Sequence, residues 1–202
     1  NNFSETYYIP VVFHIVWNQE SQNLPDYVIE SQVDVLNEDY RRLNENALDT
    51  RDEFLEFAGD ANIEFFLANV DPEGNPTNGI NRVQTTQNSF GINGDPVMSS
   101  VSGGADPWNQ DLYLNIWVCN LGNGLLGYAS PPSSWSNPND GVVIGYKYFG
   151  NIGTAQAPYH RGRTTTHEVG HWLNLDHLWG AWGSCGNDNV NDTPKQETEN
   201  YS

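Results

Sequence analysis

Eleven residues, HEVGHWLNLDH at 167–177, constrain this 202-residue chain more than any other stretch. His167 and His171 stand at i and i+4, so on a helix both imidazoles project from one face and can reach one metal ion. His177 comes six residues later, roughly 600° of helical rotation away, on the wrong face of any straight helix. The chain must therefore form a helix and then leave it before His177. Asn174 stands where that turn is required, and after Gly it is Asn that most readily takes the left-handed conformation that ends helices. Zinc suits three imidazoles best, and a fourth position then stays open for water, whose pKa falls to about 7. Glu168, next to the first ligand, is placed to accept the proton of that water, and a peptide carbonyl polarised by the metal is the expected target. Three of the five histidines fall at ligand spacing around this Glu, which surface or core histidines have no reason to do. His14 lies in an apolar run and reads as a satisfied core residue, whereas His160 reads as solvent-facing or cleft wall.

A helix beginning at 163 needs a sheet to lie on. Residues 8–17 (YIPVVFHIVW) are β-branched and aromatic between polar flanks and read as a buried strand. Apolar residues at spacings of three and four, from Val28 to Leu43, predict a helix over 25–44 that starts at Pro25 and Asp26. Further strands are expected over 61–70, 111–121 and 141–149, with a turn-rich loop at 71–79. Residues 124–130 (GLLGYAS) are predicted to form a short edge strand able to pair with an extended peptide. Strand, helix, strands, helix indicates an α/β or α+β domain.

Twenty-six acidic residues against eight basic ones give a net charge of −18, which repels nucleic acid and anionic membranes and favours basic substrates and hard cations such as calcium. A purely solvating acidic surface is the competing explanation. Aromatic residues at 12% supply enough apolar area for a packed core. No apolar run reaches the roughly 20 residues of a membrane span, and residues 1–8 lack a signal-peptide pattern, so the expectation is a mature chain or one whose targeting segment was removed. Cys119 and Cys185 could pair with each other or each elsewhere, and Cys119, on a predicted strand, reads as a buried free thiol.

HEVGHWLNLDH resembles the extended zinc signature of the metzincin clan, and its HEVGHWL wording is similar to the pappalysin family within it. GLLGYASPP (124–132) resembles that family's upper-rim strand, and CGNDNVNDTP (185–194) its calcium loop. The resemblance implies a secreted zinc endopeptidase, made as a zymogen, with an α+β fold: a twisted mixed sheet, a backing helix and an active-site helix forming an upper lobe above a cleft. It implies zinc on His167, His171 and His177, and Glu168 as general base. Candidate calcium ligands are Asp188, Thr193 and Asp192, and candidate substrate-binding residues are Gly127, Tyr128 and Ala129. For the calcium loop, an Asx-rich turn without an ion is the alternative. A basic residue just after the scissile bond is the family preference, consistent with the acidic charge.

Two departures from the family pattern stand out. Asn174 occupies a position where the family has Gly, and either residue accepts the bend. The family continues into a lower lobe with a methionine-containing turn, whereas the only Met here is Met98 and the sequence ends at Ser202. Residues 1–202 are thus expected to be one catalytic domain, mainly upper lobe, zinc helix and the start of the lower lobe. Its own C-terminal fragment would be a candidate partner beside protein or peptide substrates, and Cys185 would find its disulfide partner there. The alternative to an enzyme is a non-catalytic zinc- or calcium-binding module, against which the presence of Glu168 speaks.

Overall fold

A computed structural model describes residues 5–132, 139–180, 186–191, 193 and 195–198. Strand β1 (Tyr7–Trp17) is followed by helix α1 (Asp26–Tyr40), strands β2 (Ile63–Leu67), β3 (Ile80–Gln84), β4 (Leu114–Cys119), β5 (Gly127–Ala129) and β6 (Val142–Gly145), and helix α2 (Arg163–Trp172). The six strands form one sheet, ordered β2-β1-β4-β6-β5, with β3 beside the second half of β1. All pairings are parallel except β5 against β6. The α+β expectation with a mixed sheet and two helices therefore holds.

The sheet is covered on both faces, which is why β1 and β4 read as nearly unbroken apolar runs. On one face Val11, Phe13, Ile15, Ile116 and Ile144 pack under Val28, Ile29 and Leu36 of α1 and Val169 of α2. Each fully buried aliphatic side chain of this set contributes about 1.5–3 kcal/mol of transfer free energy. On the other face Val16, Trp117, Cys119 and Val143 meet Phe90, Val97, Met98 and Ala105 from the segment between β3 and β4. Met98 therefore belongs to the core opposite α2. Cys119 is a buried free thiol, as expected, and Cys185 lies outside the described residues.

Three elements depart from the sequence reading. Helix α1 stops at Tyr40, not residue 44: Arg42 adopts a left-handed φ of 51°, its N–H and that of Leu43 return to the carbonyls of Asp39 and Glu38, and Leu43 is left 73% exposed. The strand expected over 141–149 ends at Gly145, where the chain tightens into a 3-10 turn at Tyr146–Tyr148 and drops Phe149 edge-on against Phe13, 5.5 Å between centroids. Strand β3 was not foreseen. Its sequence, INRVQ, is half polar, and its burial alternates between intermediate and exposed, so no apolar pattern announces it. Strand β2 has an open edge that Asn37 of α1 closes, accepting from Phe65 N (2.7 Å) and donating to Phe65 O (3.0 Å) as a neighbouring strand would.

Candidate metal centre

Helix α2 lies across β5 and β6 with Val169 in the core and the opposite face turned to a cleft. Its end satisfies the geometric demand made by His177. Asn174 takes a left-handed φ of 73°, Asn174 N–H bonds His171 O and Leu175 N–H bonds Gly170 O, both at 2.9 Å. These two bonds form a Schellman ending, which reverses the chain within three residues. His177 is thereby carried back beside its partners and stacks on Trp179, 4.5 Å between centroids and 10° between planes.

The three Nε2 atoms form a nearly equilateral triangle: 3.0 Å from His171 to His167, 3.1 Å from His167 to His177 and 3.1 Å from His171 to His177. Each Nε2 has a single in-plane direction and cannot aim at two neighbours at once, so protons alone cannot satisfy this triangle. A cation at its centre can. Tetrahedral zinc with nitrogen ligands at about 2.0–2.1 Å holds those nitrogens about 3.3–3.4 Å apart, close to what is found. His171 Nδ1 stands 2.6 Å from Leu175 O; a carbonyl only accepts, so Nδ1 carries the proton and Nε2 presents its lone pair inward. Burial, together with the neighbouring His171 and His177, lowers the pKa of His167 to about 4 and keeps the ring neutral, as a ligand must be. Among the described residues this is the only group of three or more His, Cys, Asp or Glu able to share an ion.

Glu168 points to the sheet side of the triad and is 8% exposed. Burial raises its pKa to about 7. Strand β5 passes over it so closely that a Cβ on Gly127 would meet Glu168 Cγ at 2.9 Å and Val143 O at 2.9 Å, which leaves room only for glycine.

Residues 99–202, which include the triad, Glu168 and the strands that flank them, match the peptidase M43 family, described as pregnancy-associated plasma protein-A. The chain belongs to the M43 (pappalysin) metallopeptidases. Among solved structures it is similar to mature mirolysin of Tannerella forsythia in complex with a cleaved peptide, at 53% identity and a TM-score of 0.94 over 97% of this chain and 74% of that one. Among curated proteins it is 41% identical over 92 residues to an extracellular metalloprotease of Arthroderma otae, 43% of this chain and 33% of that relative. An extracellular metalloprotease of Arthroderma gypseum is 29% identical over 97% of this chain and 58% of its own length. The chain thus spans only a third to somewhat over half of these curated relatives.

The other pappalysin-like features are placed less uniformly. Strand β5 is the edge strand that was expected, running antiparallel to β6 with Tyr128 opposite Val143. Ser130 N–H to Gly141 O and Gly145 N–H to Leu126 O set the alternation, which turns the peptide groups of Gly127 and Ala129 toward the free edge. Asp188 is 6% exposed, and its Oδ1 accepts the Val190 amide at 3.1 Å in a local turn; Thr193 N–H faces Val190 O at 3.4 Å. Asp192 lies outside the described residues. His160 is exposed on the wall of a separate polar cleft, and His14 is fully buried, both as expected. Leu175 is 53% exposed, because the left-handed turn at Asn174 swings it out. Trp172 and Leu173 do pack against the core, and Trp172 Nε1 donates to Asp140 at 2.5 Å. Motif reading missed Leu175 O and Trp179, and it named Gly127 for the substrate edge without its packing against Glu168, a contact that leaves no side-chain signal.

Proposed function

We propose that this chain carries the catalytic centre of a secreted zinc-dependent endopeptidase acting on proteins or peptides. The observation that carries the reading is the triangle of three Nε2 atoms with the buried carboxylate of Glu168 beside it. His167, His171 and His177 would hold a zinc ion, which would supply Lewis acidity toward a carbonyl and toward water near neutral pH. The residues of the chain do the rest. Leu175 O fixes the His171 tautomer, and the Trp179 ring fixes the plane of His177. Glu168, as general base, accepts a proton from water on its carboxylate and returns it to the leaving amine. The free edge of β5, at Gly127 and Ala129, pairs with an extended substrate, and Tyr128 holds the strand to β6.

Beside the triad lie two cavities. One, of about 480 Å³, is walled by Asp39 and Asp176; the other, of about 500 Å³, by Arg161 and Arg163. Asp39 and Arg163 pair with each other at 3.2 Å, so the preference for a basic residue after the scissile bond rests on the net charge of −18 alone. The near-complete burial of Asp188 is consistent with a calcium loop that also uses Thr193 and Asp192. Secretion is supported by the extracellular naming of the relatives, and in this reading residues 1–202 belong to one catalytic domain, mainly its upper lobe, the zinc helix and the start of the lower lobe.

Incubation with a diverse peptide mixture, followed by mass spectrometry, tests this. Cleavage should occur, should vanish with a chelator and in Glu168→Ala, and should return on adding zinc to the chelated wild type. Cleavage that survives both treatments would overturn it.

A further inference from the structure

Something must hold α2 at the rotation that points Glu168 at the metal. Apolar packing is a poor candidate, because it is non-directional and tolerates small slides and turns of a helix. Directional contacts between α1 and α2 come from Asp39, which also pairs with Arg163 at 3.2 Å, from Tyr40 and from Gln32, and of these Gln32 reaches furthest. Gln32 of α1 is fully buried. Its Oε1 accepts from Gly150 N–H at 2.8 Å and from Thr165 Oγ1 at 2.8 Å, and its Nε2 donates to Gly162 O at 3.0 Å. Gly162 is the left-handed residue that opens α2, with φ of 72°, and a Cβ there would press on Gln32 Nε2 and Val35. Thr165, itself fully buried, is two residues before His167 and three before Glu168.

The geometry points to Gln32 as a positioning residue of the metallopeptidase centre, one that sets the rotation of α2 against β5 and β6 and so the aim of Glu168 and the two helical histidines. Asp39 and Tyr40 also grip α2, through Thr166 Oγ1 at 2.8 Å and Thr166 O at 3.2 Å, but they tie it only to α1. Gln32 alone of this set also bonds Gly150, in the connection leaving β6, and β6 carries the β5 strand whose Gly127 abuts Glu168. A rotation of about 10° moves a group roughly 6 Å from a helix axis by about 1 Å, and misplacement of that size can cost up to about 100-fold in rate.

The activity part of the test rests on the function proposed above; the spectroscopic part does not. Gln32→Met keeps length and bulk while removing all three bonds; Thr165→Val removes one and keeps shape. Leu24→Ala is the control, because Leu24 is buried two residues before α1 and is no partner of Gln32's three bonds. In the metal-loaded protein, Gln32→Met should lower kcat by about ten-fold or more with KM within about two-fold, and Thr165→Val should do the same more weakly. Both should shift the visible d–d bands of the cobalt(II)-substituted protein. Leu24→Ala should change neither kcat nor the bands, even where it lowers Tm as much. Unaltered kcat and bands in Gln32→Met overturn the assignment, as does a loss in all three variants that merely follows Tm. If Gln32→Met fails to fold, Thr165→Val decides in the same way. If the wild type binds cobalt but cleaves nothing, the proposed function fails and the band shifts alone decide for or against Gln32.

Discussion

Two histidine environments in this chain are opposites. His14 is fully buried between the two layers of core, stacked on Trp117 with 5.0 Å between centroids. Both its ring nitrogens are met by protein. Asn115 Oδ1 accepts from the Trp108 amide at 2.8 Å, which fixes the orientation of that amide side chain, so His14 Nε2 donates to it at 3.0 Å and Nδ1 takes the Asn81 Nδ2 proton at 3.0 Å. At the triad the outward nitrogen of His171 is met by Leu175 O, while the three inward Nε2 atoms face one another. A histidine becomes structural when its neighbours saturate both nitrogens, and a ligand when they saturate one and direct the other at its fellows.

The largest effect that would sharpen this contrast is at Glu168. Glu168→Gln should retain metal and stability while lowering kcat by about 10²–10⁴-fold, measured with a fluorogenic peptide at saturating zinc. Second comes acidification of the His14 site. Burial, opposed by the Asn115 bond and the Asp106 charge, lowers the folded-state pKa of His14 to about 4 from an ordinary 6.5. The folded state therefore favours neutral His14. Its contribution is fully present above pH 6.5 and is lost as pH falls from there toward 4, by roughly 3 kcal/mol. Urea unfolding at stepped pH should show this loss, reduced in a His14→Gln variant that begins less stable. A loss independent of His14 would break the comparison.

Smaller effects concern the supports of the triad. Gly127→Ala should push β5 and Glu168 apart, costing about ten-fold in kcat, since an added Cβ meets backbone at 2.9 Å and cannot be accommodated by side-chain rotation alone. Metal affinity should hold, as read by competition with a chromophoric chelator. Smallest is the helix ending: Asn174→Ala should cost about 1–2 kcal/mol in thermal unfolding, because Ala at φ of 73° is strained, whereas Asn174→Gly should change stability by under about 1 kcal/mol.

How much of this was legible in the sequence depended on whether the information was local. His167 and His171 at i and i+4, and the bend at Asn174 demanded by His177, follow from helix geometry alone, and the structure has both. The apolar surroundings of His14 and the edge position of β5 were likewise legible in neighbouring residues. Gln32, Leu175 O and the close packing of Gly127 on Glu168 were not. Gln32 meets Thr165 only after the sheet has brought α1 and α2 together across 133 positions of sequence, and a carbonyl or a missing Cβ leaves no chemical signature. Strand β3 was hidden for a related reason: its polar Arg82 spends itself on Asn23, Leu24 O and Asp26, contacts that no pattern within INRVQ reveals.

The most direct test is a cobalt(II) titration, followed by visible absorption, of the apo wild type, His177→Ala and His14→Gln. The account predicts one equivalent with intense tetrahedral bands for wild type and for His14→Gln, and no such complex for His177→Ala. Full tetrahedral binding by His177→Ala, or none by wild type, would contradict it.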